Sequence, residues 1–97
     1  MAKGYWVTEY QSVSDPERLA AYAEAANPAV TAAGGRFLVR SPHAVALEAG
    51  LDQRTVVVEF DSLEAALAAH DTEAYQAALD VLGDAAVRDF RIVEGVA

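Results

Sequence analysis

The 97-residue chain carries fifteen acidic against seven basic residues, a net charge of −8, and no cysteine. That balance argues against nucleic-acid and anionic-membrane partners, whose binding rests on Lys and Arg. The missing thiols exclude disulfides, thiolate metal sites and cysteine nucleophiles.

The opening Met1-Ala2-Lys3-Gly4-Tyr5-Trp6 runs straight into a strand-like segment without the apolar stretch of a secretory signal. No apolar run is long enough to span a bilayer, so the expectation is a cytoplasmic protein. The length suits one domain over residues 1–97. Gly4 to Tyr10, rich in aromatic and β-branched residues, reads as the first strand. Ser14-Asp15-Pro16-Glu17 then announces a helix, with Ser14 or Asp15 as cap and Pro16 suited to the first helical position. Leu19, Tyr22, Ala23, Ala26, Val30 and Ala33 form its apolar stripe. Pro28 should kink the helix or end its first part near Ala26–Asn27, and Gly34-Gly35 stops it.

Arg36 to Arg40 is the second strand, with a possible continuation from Ala44 to Glu48 beyond a bend at Pro42. Residues 49–53 make a hairpin loop, and Arg54 to Phe60 is the third strand. Asp61-Ser62 caps a second helix with Leu63, Ala66 and Leu67 inward. His70-Asp71-Thr72-Glu73 interrupts it, and Asp71 or Thr72 restarts a helix to about Leu82. Val87 to Val93 is the last strand. The order βαββαβ predicts an α+β, ferredoxin-like domain: a four-stranded antiparallel sheet with two helices on one face. Strands such as Tyr5–Tyr10 and Val56–Phe60 are apolar on both faces, where one solvated face should give alternation. The helices cover one side only, so the other is expected to meet a second copy, giving a homodimer by sheet-to-sheet packing.

Several segments resemble the domain of unknown function 1330 family. They are Gly4-Tyr5-Trp6, Asp15-Pro16 ahead of Tyr22, the run Gly34-Gly35-Arg36-Phe37-Leu38-Val39-Arg40, Val57 to Ser62 with Ala65-Ala66, and Tyr75-Gln76. The resemblance spans essentially the whole chain. It implies the dimeric α+β barrel superfamily, whose relatives include cofactor-independent monooxygenases, lactone isomerases and haem-degrading enzymes. Fold kinship of that kind says little about chemistry. Where relatives often carry an aromatic and an Asn-Ser-Pro-like step, this chain has His70-Asp71-Thr72-Glu73 before Tyr75, which puts a titratable ring there.

Candidate site residues follow. Glu59, between Val58 and Phe60, is either a general base with a raised pKa or a carboxylate paired with Arg36 or Arg40. Arg36 and Arg40, expected on one face of their strand, either grip an anionic ligand or neutralise Glu59 and Glu9. His70 follows the inward series of its helix and is either an acid/base group or a histidine at the negative end of the helix dipole. Tyr22 and Tyr75 lie on inward stripes, lining a substrate pocket or filling the core. Trp6 and Tyr10 are expected at the dimer interface if their face meets the partner. His43 reads as a loop residue. No metal-ligand spacing, phosphate loop or nucleophile motif is present, so neither metal nor cofactor is expected. The expectation is a homodimer binding a small organic molecule between helices and sheet, with cofactor-independent acid/base chemistry by His70 and Glu59. The alternatives are a non-catalytic structural or sequestering protein and a cofactor-independent monooxygenase.

Overall fold

Local signals set the elements of the computed structural model, which describes residues 2–97 and leaves Met1 of the expected domain outside. Strand β1 (Gly4–Val13) leads into helix α1 (Pro16–Ala32). The Asp15 carboxylate caps α1 by accepting from the Arg18 backbone N–H at 3.1 Å, with Pro16 just behind it. Pro28 does not end α1, which continues to Ala32. The proline sits on the exposed side, while Tyr22, Ala26, Ala29 and Val30 are buried along one stripe that spans it. Burial of that stripe on the sheet outweighs the lost backbone bond.

Strands β2 (Arg36–Ser41) and β3 (Thr55–Phe60) follow, then helices α2 (Leu63–His70) and α3 (Glu73–Leu82), and strand β4 (Ala86–Glu94). Ser62 caps α2 and Thr72 caps α3 through their hydroxyls. The expected continuation of β2 through Ala44–Glu48 does not form. Residues 42–54 are a loop instead, in which Asp52 accepts from the Ala44 backbone N–H at 3.0 Å and lies 3.2 Å from the His43 ring. Local side-chain bonds of this kind compete with a ladder.

The sheet is antiparallel throughout, in the order β2-β3-β1-β4, with the helices on one face. This is the ferredoxin-like arrangement. Gly4 permits the close approach of β1 to the start of α2, since a Cβ there would collide with the Ser62 carbonyl. Trp6, Thr8, Tyr10, Val58 and Phe60 point under the helices and are all less than 5% exposed. Their neighbours Tyr5, Val7, Glu9, Val57 and Glu59 occupy the opposite, outer face by alternation. Trp6 anchors the core by donating from its indole N–H to the Ala66 carbonyl at 2.8 Å. Trp6 and Tyr10 therefore do not present themselves to a partner on the outer face. The alternation seen in the sequence was correct, but the helices took the Trp6 side.

Candidate functional site

Register decides which polar groups share the helix-covered face. Tyr10 lies opposite Arg88, Thr8 opposite Phe90 and Trp6 opposite Ile92 between β1 and β4. On the other flank Thr8 pairs with Val56 and Trp6 with Val58. The backbone N–H of Tyr10 also donates to the Arg54 carbonyl at 3.0 Å. Arg54 thus continues the row of Val56 and Val58 just before β3 begins. In β2 the pairing shifts between Phe37 and Val39, leaving Leu38 as the extra residue of a bulge. Phe37 opposes Val58, but Val39 opposes Val57 and Arg40 opposes Val56. The bulge reverses the phase of the strand. Arg36 therefore faces outward and Arg40 faces the helices, contrary to the shared face expected from simple alternation.

These rows frame a cleft between α1 and the sheet. Its floor is Trp6, Phe37, Val58 and Phe90, its roof Tyr22, Ala23, Ala26 and Val30 of α1, and Arg40, Arg54 and Arg88 also line it. It holds about 460 Å³ of space free of protein atoms, part of it open to solvent. Only about 30 Å³ of this can be reached by the centre of a water molecule, so the cleft is a narrow slot.

Arg88 is the best-held of the three arginines. It donates to the Tyr22 hydroxyl at 3.1 Å, and its guanidinium lies 5.1 Å from the Tyr22 ring centre, 5.3 Å from Phe90 and 5.6 Å from Tyr10. Burial opposes its charge, but the hydroxyls of Tyr22, Tyr75 and Tyr10 outweigh that and hold its pKa above the ordinary guanidinium value. The Tyr22 and Tyr75 hydroxyls are 2.7 Å apart. Burial first, then the neighbouring Tyr22, pushes the Tyr75 phenol well above its usual value, so it stays protonated at neutral pH. Arg40 stacks over Phe37 at 4.7 Å. The Nε of Arg54 is buried and, among the described residues, has no hydrogen-bond partner.

Of the residues the sequence singles out, Tyr22 and Arg40 line the cleft, and Tyr75 joins it through the Tyr22 hydroxyl. His70 is not in the lining. Its ring packs at 6.0 Å from Trp6, 5.3 Å from Tyr75 and 5.5 Å from Phe90, with Nδ1 3.8 Å from Asp71. Glu59 and Arg36 stand on the outer face. Glu59 accepts from the Tyr5 hydroxyl at 3.0 Å and from Arg36 Nε at 3.2 Å, and Arg36 also reaches Asp61. The Tyr5 bond, followed by Arg36, holds the Glu59 carboxyl below its ordinary value. Glu59 is therefore a satisfied carboxylate and not a base of raised pKa. It also lies across the sheet from His70, so the two cannot work as one acid/base couple.

Sequence reasoning missed Arg54 and Arg88. The signal was available: Arg54 shares the parity of Val56 and Val58, and Arg88 that of Phe90 and Ile92. Among the described residues no cluster of His, Cys, Asp or Glu is arranged to hold a metal, and no helix is long and apolar enough to cross a membrane.

A family model, Domain of unknown function (DUF1330), matches residues 3–96. No curated protein matches the chain. Among solved structures, a Rhodopseudomonas palustris protein of unknown function superposes with a TM-score of 0.71 at 18% identity, covering 96% of this chain and 80% of that one. The same protein in methylated form gives 0.76 at 14% identity, over 99% and 82%. A dimeric ferredoxin-like protein of unknown function from Thermobifida fusca YX gives 0.60 at 18% identity, over 99% and 92%. A candidate antibiotic biosynthesis monooxygenase from Caulobacter crescentus CB15 also gives 0.60, at 19% identity, over 99% and 91%. At these identities the likeness is one of fold.

Proposed function

The chain belongs to the DUF1330 family, and from that premise we propose that it is a homodimer whose cleft between α1 and the sheet binds a small organic molecule. The observation that carries the reading is the slot itself. An aromatic floor closed over by α1 and tipped with a few converging polar groups is the ordinary make-up of a small-molecule site. Dimerisation is supported by the outer face, where Val39 and Val93 are each 41% exposed beside Val7 and Val57, and by the dimeric Thermobifida fusca neighbour.

Binding without acid/base chemistry by His70 and Glu59 is the better-supported form of this reading. Glu59 is satisfied on the far side of the sheet. His70 packs behind the floor against Trp6 and Phe90, outside the lining of the cleft.

Trp6 is the chain's single tryptophan and lies in the floor, so its fluorescence reports occupancy directly. In a screen of small metabolites, the wild type should give a saturable change in Trp6 emission with at least one compound. Ala23→Phe, which fills the slot from the roof, should abolish it while the protein stays folded by circular dichroism. His70→Ala should keep it. An Ala23→Phe protein that responds as the wild type does would overturn the site.

A further inference from the structure

The seven cationic side chains of this chain divide into two groups. Lys3 pairs with Asp61, Arg18 with Asp84, Arg36 with Glu59 and Asp61, and Arg91 with Asp89. Arg40, Arg54 and Arg88 form no ion pair among the described residues, and these three alone line the cleft. With fifteen carboxylates in the chain, carboxylate partners are abundant. The three left over all line one slot, in the neighbouring sheet rows of Thr8 and Tyr10.

Each of the three is also placed by something other than a partner charge. Arg88 is held by Tyr22 and three aromatic rings, Arg40 by the Phe37 ring and the bulge that turned it inward, and Arg54 by the row it shares with Val56. The buried Arg54 Nε lacks an acceptor, a costly state unless something completes it. Beside these cations lies an apolar, aromatic floor in a slot too narrow for a bulky body.

We infer that the cleft selects a slim organic carboxylate, with its anionic end on Arg40, Arg54 and Arg88 and its apolar body on the floor of Trp6, Phe37 and Phe90. A guanidinium fork matches a carboxylate with two parallel hydrogen bonds, and no carboxylate among the described residues closes the forks of these three arginines. The inference rests on the proposed binding function and adds the charge and shape of the ligand. The slot gathers three unpaired arginines even though the whole molecule carries a net charge of −8.

The test compares benzoate with benzamide, which has the same outline without the charge, and with inorganic phosphate, which has charge without a body. Trp6 fluorescence and thermal shift read the binding. Benzoate should bind saturably, roughly tenfold or more tighter than benzamide and than phosphate. Arg54→Met and Arg40→Gln should each weaken benzoate about tenfold or more while leaving benzamide within about twofold. Arg54→Lys, which keeps the charge but loses the fork, should recover only part of the benzoate affinity and guards against a folding defect. Benzamide binding as tightly as benzoate, with the arginine variants indifferent, would overturn the carboxylate while leaving the cleft as a site. Phosphate binding tighter than benzoate would overturn the apolar-bodied ligand. If Ala23→Phe does not disturb benzoate binding, both this inference and the site beneath it fail.

Discussion

Two arginines of one strand, at the residue scale, show how neighbouring side chains come to opposite uses. Arg36 meets Glu59 at 3.2 Å on the outer face, with Tyr5 completing the carboxylate, whereas Arg40, four residues on, meets only the Phe37 ring. Glu59 is a group whose folded pKa lies below its ordinary 4.5. Its contribution to stability is therefore fully present above that value and is lost as pH falls through it toward the folded value. Solvent at this face screens the effect, so it should be small. Melting temperatures of wild type and Glu59→Gln measured from pH 7 down to pH 3 should converge as the medium becomes acid, with the variant's curve the flatter one. Parallel curves would mean that the Tyr5–Glu59–Arg36 cluster contributes nothing to the acid limb.

The bulge in β2 is the decisive element. Before Leu38 the strand presents Arg36 outward, and after it the phase is reversed and Arg40 turns to the cleft. Leu38 itself is 54% exposed and packs little. Deleting it should close the bulge without changing the partners of Phe37, Val39 or Arg40. The deletion variant is expected to stay within about 1 kcal/mol of wild-type stability and to keep its benzoate affinity within about twofold. Inserting one further residue between Val39 and Arg40, with the bulge at Leu38 kept, should instead shift Arg40 by one position, turn it outward and weaken binding as Arg40→Gln does. Urea denaturation and the Trp6 titration read both outcomes. Loss of binding in the deletion would show that the bulge shapes the slot beyond orienting Arg40.

The whole molecule is lopsided. One face of the sheet is buried under α1, α2 and α3, and the other shows a strip of valines between charged clusters, with Val45, Leu47 and Leu51 exposed on the 42–54 loop. Burying such a strip against a second copy follows from the same area argument that builds a core. Val57 is central to the strip, on a central strand, and Val57→Lys would put an unpaired charge in the seam. Analytical ultracentrifugation should find a wild-type dimer at low micromolar concentration and, for Val57→Lys, a dissociation constant raised about a hundredfold or more. A wild type that sediments as a single subunit at that dilution would remove the dimer, while leaving the cleft on the covered face untouched.

From the chain alone came the element order, the caps to within a pair of residues each (Ser14 or Asp15, Asp61-Ser62, Asp71 or Thr72), the inward stripe of α1 and the two-faced character of the strands. These depend on spacing and local hydrogen bonds, which a sequence carries in full. Tyr22 and Arg40, singled out from the sequence, line the cleft. What waited for the folded molecule was the choice between two equivalent faces and the phase of one strand. Alternation separates Trp6 from Tyr5 but does not say which of them the helices will cover, because that is settled by packing between segments far apart in the chain. A bulge depends on the partner strand, so Arg36 and Arg40 part company only once β3 lies beside β2. Arg54 and Arg88 are 34 positions apart in the sequence and come to flank Tyr10 in one slot only through register. Convergence of like charges is a property of the tertiary fold.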